Sequence, residues 1–243
     1  MANKVDSDLD NLKKIAQLQD SISIKKQQNL VKKVILKDKE ALLELLITRL
    51  IIEKNQPSYI DAIIFEEICT SNELEICRKL EKLFKGGIVD LKSSCGIDYE
   101  PLQKLLISKQ FQKADQLTQR QLCNLAGLNS DDKRNWLYFT DISILPCEDL
   151  NTIDTLWRIY SLGQFGFSIQ RKIWLSNNRN WDLLWDKIGW TVKNSACRYP
   201  DEFIWDTVAP QGHLPLFNQL RGVQVLSALF EHSVWNQRDI EIK

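Results

Sequence analysis

The sequence predicts an all-α chain. Apolar residues recur three and four positions apart along most of its length, glycine and proline punctuate those runs, and no segment alternates apolar with polar residues well enough to demand a sheet. The same reading predicts two parts. An N-terminal helical bundle occupies residues 1–92, and a second helical domain occupies residues 93–243.

In the first part the apolar positions are Leu43, Leu46 and Leu50, then Ile60, Ile63 and Ile64, then Leu80, Leu83 and Phe84. Pro57 lets a helix restart, and Gly86-Gly87 suits a helix C-cap. The joint is expected over residues 85–98, which hold Gly86, Gly87, Ser93, Ser94 and Gly96. Beyond it, Phe111, Ala114, Thr118, Leu122 and Leu125 line one face of a helix that Gly127 stops. Pro146 opens another, with Glu148 and Asp149 in the first turn, where the helix dipole favours acids. Its stripe is Leu150, Ile153, Trp157 and Tyr160, and it ends at Gly163. Ser168 is placed to cap a helix through Trp174. From Ser176 to Gly212 the periodicity fades among asparagine, glycine and proline, which predicts long loops with short helical turns. Pro215 then opens a final helix striped by Leu216, Leu220, Val223 and Phe230.

Composition narrows the function. Hydrophobic residues make up 44% of the 243 and charged residues 26%, which suits a soluble globular protein. Thirty-two basic residues against 32 acidic ones give zero net charge, which argues against a nucleic-acid binder that must neutralise phosphates. No apolar run approaches the roughly 20 residues that span a bilayer; the greasiest, Leu42 to Ile52, is broken by Glu44, Thr48 and Arg49. The polar start, Met1 to Asp10, reads neither as a secretory signal nor as a transit peptide. Cys69, Cys77, Cys95, Cys123, Cys147 and Cys197 show no metal or redox spacing, and they read as free thiols, most of them buried.

Catalytic chemistry finds little to stand on. His213 and His232 are the only histidines, neither lies in a nucleophile motif, and no histidine or cysteine pair has zinc spacing. Aromatic mass is what remains. Seven of the eight tryptophans lie between Trp136 and Trp205, and the first 130 residues have none. Trp185, Trp190, Tyr199, Phe203 and Trp205 crowd the irregular stretch. They read either as core between helices or as a wall for a flat apolar ligand. Phe217, Arg221 and Gln224 share a face of the final helix, and Arg198 precedes Tyr199, so a guanidinium beside an aromatic slot is available to a carboxylate. The residues suggest a module that binds a planar, apolar acid.

Several short motifs in order then carry a resemblance. They are Arg198-Tyr199-Pro200, Phe203-Ile204-Trp205-Asp206 and Ala209-Pro210-Gln211-Gly212-His213-Leu214-Pro215. Upstream stand Gly96-Ile97-Asp98-Tyr99, Trp136-Leu137-Tyr138-Phe139 and Phe165-Gly166-Phe167-Ser168, and downstream Asn218-Gln219-Leu220-Arg221-Gly222-Val223. Together they resemble the genomes-uncoupled-four family over roughly residues 95–236. The N-terminal part resembles the helical extension of its cyanobacterial and algal members.

The resemblance implies an all-helical core shaped like a cupped hand that binds protoporphyrin IX or Mg-protoporphyrin IX. It implies a non-catalytic activator of magnesium chelatase in chlorophyll synthesis, whose partner is the large porphyrin-binding subunit of that enzyme. A monomer with peripheral membrane association, in the plastid stroma or a cyanobacterial cytoplasm, goes with that reading. The porphyrin-contacting set it implies is Arg198, Tyr199, Phe203, Trp205, His213, Leu214, Phe217, Arg221 and Gln224, with Trp190 and Arg120. Two positions depart from the family pattern: Tyr199 stands where many relatives have Trp, and Gln224 where relatives carry a second Arg. No catalytic residue, metal or catalytic cofactor is implied.

Overall fold

The computed structural model describes residues 2–71, 73–128, 134–193, 195–216 and 223–236, with side chains from Ser7 onward. The described residues form helices and one two-stranded hairpin, and the chain divides into two compact units, 1–89 and 90–243.

The first unit packs five helices: α1 (Ala2–Ile15), α2 (Ser21–Ile35), α3 (Lys39–Ile47), α4 (Tyr59–Cys69) and α5 (Leu74–Phe84). Its centre is α4, whose residues from Tyr59 to Phe65 are all buried, so this helix is enclosed on every side. Around it lie Val31, Val34, Leu42, Leu46 and Ile68. Gln27, fully buried on α2, donates from Nε2 to the carbonyls of Ile15 (2.6 Å) and Leu18 (3.0 Å) and so ties α2 to the end of α1. The sequence places Leu50 on the stripe of Leu43 and Leu46. Instead α3 runs into a π-helical turn, Thr48–Ile52, whose wider winding leaves Leu50 half-exposed and carries Arg49 inward. There Arg49 meets Asp61 of α4 in a two-pronged pair (Nε–Oδ1 2.7 Å, Nη2–Oδ2 3.1 Å). Asp61 also accepts from the amide and hydroxyl of Ser58, closing a capping box at the start of α4. At the other end of the unit Gly86 takes the positive φ expected of it (+88°), and Lys85 before it is left-handed as well (φ +46°).

The second unit is built on α9 (Cys147–Tyr160), where Leu150, Ile153, Leu156 and Trp157 are fully buried. Against it pack α6 (Glu100–Ile107), α7 (Phe111–Leu125) and α10 (Phe167–Ser176). Trp157 stacks on Phe111 of α7 (centroids 6.1 Å), meets Phe165 edge-on at 6.3 Å and donates its indole N–H to Thr118 at 3.0 Å. Two buried carboxylates on α9 hold the neighbouring backbone. Asp149 accepts from Ser93 Oγ, from the Ser94 amide (3.0 Å) and from the Tyr99 hydroxyl (2.8 Å). Asp154 accepts from the Ser168 amide and hydroxyl, both at 2.8 Å, and from Arg158 at 3.2 Å. Ser168 therefore does not cap α10; it is the second residue of that helix, and the carboxylate that serves the helix start comes from across the interface. Asp149 likewise does more than sit in a helix dipole.

The short α8 (Phe139–Ile142) packs on the last described helix, α12 (Val223–Phe230). Between α10 and α12 come α11 (Trp181–Lys187) and a small hairpin, β1 (Thr191–Val192) with β2 (Ser195–Ala196). The rest, residues 197–216, is irregular. Pro215, expected to open the final helix, and Leu216 lie in this irregular stretch, held by side chains from α7 and α10, and the next described helix begins at Val223. Phe217, Leu220 and Arg221 lie outside the described residues. The thiols are less buried than the sequence suggests: Cys123 and Cys197 are enclosed, Cys69 and Cys95 are exposed, because those two fall at a helix end and in a loop.

The Arg49–Asp61 pair generates a stability prediction. Asp61→Ala leaves a buried guanidinium and the Ser58 amide without their acceptor and should cost about 3–5 kcal/mol. Replacing both partners with apolar residues, Arg49→Met with Asp61→Leu, should cost distinctly less. Urea unfolding of the three chains, followed by helical circular dichroism, measures the difference.

Candidate functional site

Residues 197–216 carry the aromatic and motif-bearing side chains, and they have no helix or ladder of their own to hold them. A loop in that position must find its hydrogen bonds among neighbouring side chains. Here carboxamides provide three of them. Gln164 donates from its side chain to the Ala209 carbonyl (2.6 Å), and its backbone carbonyl accepts the Gly212 amide (2.8 Å). Gln170 of α10, fully buried, donates to both Gly212 O and Pro215 O at 2.9 Å. Gln211 reaches Gly163 O at 3.0 Å, and Gly166 N reaches Leu214 O at 3.0 Å. The glycine of the Gln-Gly-His-Leu-Pro run has a steric reason: at φ +81° a Cβ on Gly212 would lie 2.9 Å from Ile173 Cδ1 and 3.0 Å from Ile188 Cγ2.

On this bed the aromatic rings form one continuous row. From the loop inward, Tyr199 meets Trp205 edge-on at 5.9 Å, Trp205 meets Phe203 at 6.2 Å, and Phe203 meets Trp190 edge-on at 6.5 Å. Trp190 stacks on Trp185 at 5.2 Å, Trp185 leans on Trp181 at 5.5 Å, and Trp181 stacks on Phe230 of α12 at 5.9 Å. The core and ligand-wall readings therefore divide by position. Trp190, Phe203 and Leu214 are buried and form the backing, Trp205 is half-buried, and Tyr199 is 41% exposed. The next residue of the loop, Ile204, is 44% exposed.

Arg198 and Arg120 both face solvent. Arg198 is the neighbour of Tyr199 in the chain. Arg120 lies one turn beyond Gln116 on α7, and Gln116 Nε2 donates to the Tyr199 hydroxyl at 3.2 Å. The loop tip is closed on itself, with Arg198 N donating to Glu202 Oε2 (2.7 Å) and Trp205 Nε1 to Pro200 O (3.0 Å). Gln224 is exposed near the start of α12. Phe217 and Arg221 lie outside the described residues.

His213 is enclosed. Nδ1 lies 2.6 Å from Ile188 O, Nε2 lies 3.0 Å from Ile204 N, and its carbonyl accepts the Trp190 indole N–H at 2.8 Å. Burial pulls its pKa below the usual histidine range. His232 Nδ1 accepts the Val234 amide at 3.2 Å. With these nitrogens engaged by backbone, the arrangement is suited to holding a ligand rather than shuttling protons.

One residue of the site escaped sequence reading. Asp115 of α7 is buried and accepts the Leu216 amide at 2.7 Å, where the loop ends. Burial pushes its carboxyl up to about 8, against the pull of that amide. Its signal was its place, four residues after Phe111 and three before Thr118: an acid on the apolar face of the helix.

With this geometry described, comparison with known proteins fixes the relationship. The family model described as GUN4-like matches residues 92–233. A red-algal relative, the uncharacterized protein ycf53 of Porphyra purpurea, is 44% identical over 239 residues, covering 97% of this chain and 99% of the relative. The chloroplastic tetrapyrrole-binding protein of Arabidopsis thaliana is 35% identical over 150 residues, covering 58% of this chain and 56% of that protein. The solved structure of GUN4 from Chlamydomonas reinhardtii superposes with a TM-score of 0.56 at 40% identity, over 60% of this chain and 95% of that one. The motifs quoted from the sequence fall inside the matched span, and the chain belongs to the GUN4-like family, the genomes-uncoupled-four proteins.

Proposed function

We propose that this chain is a non-catalytic porphyrin-binding protein that stimulates magnesium chelatase. The observation that carries the reading is the tip of the 198–205 loop. There the exposed Tyr199 ring meets Trp205, which buried Phe203 backs; exposed Arg198 precedes Tyr199 in the chain, and exposed Arg120 lies one turn along α7 from Gln116, which donates to the Tyr199 hydroxyl. A porphyrin is a broad apolar disc with two carboxylates on one edge, so it needs aromatic surface and cations at the rim. The name of the Arabidopsis relative points the same way.

In this reading Tyr199 and Trp205 supply the contact surface, and Arg198, Arg120 and Arg221 take the propionates. Phe217 is assigned to the apolar contact set with Tyr199 and Trp205. Phe203, Trp190 and Leu214 act from behind by fixing the loop. The ligands are protoporphyrin IX and Mg-protoporphyrin IX, and the partner is the large subunit of the chelatase. The chain works as a monomer that touches the membrane peripherally, in a plastid stroma or a cyanobacterial cytoplasm. Among the described residues no helix is long and apolar enough to cross a membrane.

Titration with deuteroporphyrin, followed by the Soret band, tests the reading. A saturable red shift at micromolar ligand or below is expected, and Arg198→Ala with Arg120→Ala should weaken it. A flat titration would sink the proposal. Stimulation of the chelatase needs surface outside the slot, so some exposed substitutions should abolish it while leaving the Soret shift intact. If every variant that fails to stimulate also fails to bind, separate surfaces are disproved.

Gln224 gives a sharper test, because it stands exposed where family members carry a cation. Gln224→Arg should tighten binding of the free-acid porphyrin by a few-fold, since an exposed ion pair contributes about 0.2–1 kcal/mol. The gain should shrink as salt rises and vanish for a porphyrin with esterified propionates. Paired titrations at low and high salt check all three.

The division into units adds a prediction about length. A chain beginning at Asp90 should fold and bind porphyrin within a few-fold of the full chain. Starting at Ser93 instead removes the Lys92 carbonyl that accepts the Thr152 hydroxyl at 2.8 Å, and it should lower the melting temperature. Calorimetry and Soret titration of both fragments read the outcome; a folded fragment that does not bind would refute the assignment of the site to the second unit.

A further inference from the structure

Among the ties that join the loop carrying Tyr199 and Trp205 to the rest of its unit, one runs through an imidazole; the others include Gln116 to the Tyr199 hydroxyl and Phe203 against Trp190. His213 is 1% exposed, and Phe203 lies against its ring at 5.5 Å. Its Nε2 accepts the Ile204 amide. A nitrogen that accepts an N–H carries no proton, so the ring is neutral and its proton sits on Nδ1, which donates to Ile188 O. The same residue receives the Trp190 indole on its carbonyl, and its amide closes a turn on Pro210 O at 3.0 Å. Gly189 leaves room for this: a Cβ there would stand 3.0 Å from Pro210 Cγ and 3.5 Å from Nδ1.

The Ile188 carbonyl is the one contact of the ring that favours a cation, and burial outweighs it. The ring's neighbours Ile188, Gly189, Trp190, Phe203, Ile204 and Pro210 are uncharged. The elements packed against the ring carry Asp186 and Lys187 before Ile188, and Arg198, Tyr199, Asp201 and Asp206 in the loop, besides Cys197 and Glu202. The Cys197 thiol lies 3.7 Å from Gly189 O and is itself pushed up by burial. The Glu202 carboxylate is turned to the Arg198 amide.

We propose, resting on the porphyrin reading above, that His213 is a positioning residue for the porphyrin loop, which it holds by accepting the Ile204 amide and releases when it gains a proton. The sequence places His213 among the residues that touch the ligand; the geometry gives it a role one step removed. A proton on Nε2 turns the acceptor into a donor facing the Ile204 N–H, and that hydrogen bond is lost. The imidazole hardly moves in this exchange, while the segment from Arg198 to Trp205 loses one of its ties to the unit and keeps those through Tyr199 and Cys197.

The direction of the pH effect follows. Burial lowers the folded-state pKa of His213, so the neutral ring contributes fully above the ordinary value of about 6.5. That contribution falls away as the pH drops through the lower folded value. Porphyrin affinity should be level from about pH 8 to about 6.5 and decline only as the pH approaches the lower folded value.

The test uses the full chain and two isosteres. His213→Asn places a donor at the Nδ1 position and nothing at Nε2, whereas His213→Gln reaches the Nε2 position with an acceptor. His213→Asn should speed amide hydrogen exchange at Ile204 by about ten-fold or more and weaken deuteroporphyrin binding by about ten-fold, the scale of one buried hydrogen bond. His213→Gln should bind within about three-fold of wild type and lack the acid decline. Porphyrin carboxylates titrate as well, so the ratio of variant to wild type at each pH is the quantity to read. Unchanged Ile204 exchange in His213→Asn, unchanged affinity in that variant, or an identical acid decline in His213→Gln would each overturn the proposal.

If neither variant folds, wild type alone decides. As the pH falls below about 6.5 towards the lower folded value, the Ile204 amide should gain exchange relative to Gly166, whose amide is bound to Leu214 O; a constant ratio refutes the role. If wild type binds no porphyrin, the functional reading has failed, and Ile204 exchange still shows whether His213 holds the loop.

Discussion

Backbone that leaves a helix or ladder must still satisfy its N–H and C=O groups, and in the second unit that demand concentrates on residues 209–216. Two carboxamides, Gln164 and Gln170, serve three of the carbonyls there, and Gly166, Asp115, Trp190 and the Gln164 backbone carbonyl serve other groups. A carboxamide N–H donates without charge, so it can bind irregular backbone at little desolvation cost. The position of the aromatic row follows from this. Phe203 packs on His213, His213 lies in the sewn turn, and Trp190 donates to its carbonyl.

Buried charge is handled differently in the two units. In the first, Arg49 and Asp61 neutralise each other across a π-helical turn. In the second, Asp149 and Asp154 are satisfied chiefly by hydroxyls and backbone amides, which stabilise a carboxylate without a full counter-charge. Asp115 has less of this support from the described residues, and its raised pKa expresses the shortage.

In the second unit α7 and α9 were legible in the sequence because glycines and a proline bound them: Gly127 and Gly163 take positive φ beyond the helix ends, and Pro146 stands at the N-cap of α9, whereas α6, α8 and α11 are too short to carry a clear apolar stripe. The π-helical turn was not legible, since an apolar stripe through Leu50 fits an ordinary α-helix equally well. Ser168 misled for a related reason. A serine near a helix start has the right chemistry for a cap, and nothing local reveals that Asp154, fourteen residues earlier, serves that end. At the site the aromatic residues declared themselves by type and density. Gln164, Gln170 and Asp115 did not, because their partners are backbone groups many residues away, which no spacing rule encodes.

The aromatic row also has an optical consequence. Trp174, Trp181, Trp185 and Trp190 stand in sequence with centroids 5.0–5.5 Å apart. At such separations excitation passes between indoles faster than any one of them emits. The row therefore behaves as a single antenna, with Trp205 joined to it through Phe203. A chromophore arriving at the Tyr199 end darkens indoles far beyond those it touches. The depth of quenching then measures how the row is coupled, while the absorption band of the chromophore carries the information about its own surroundings.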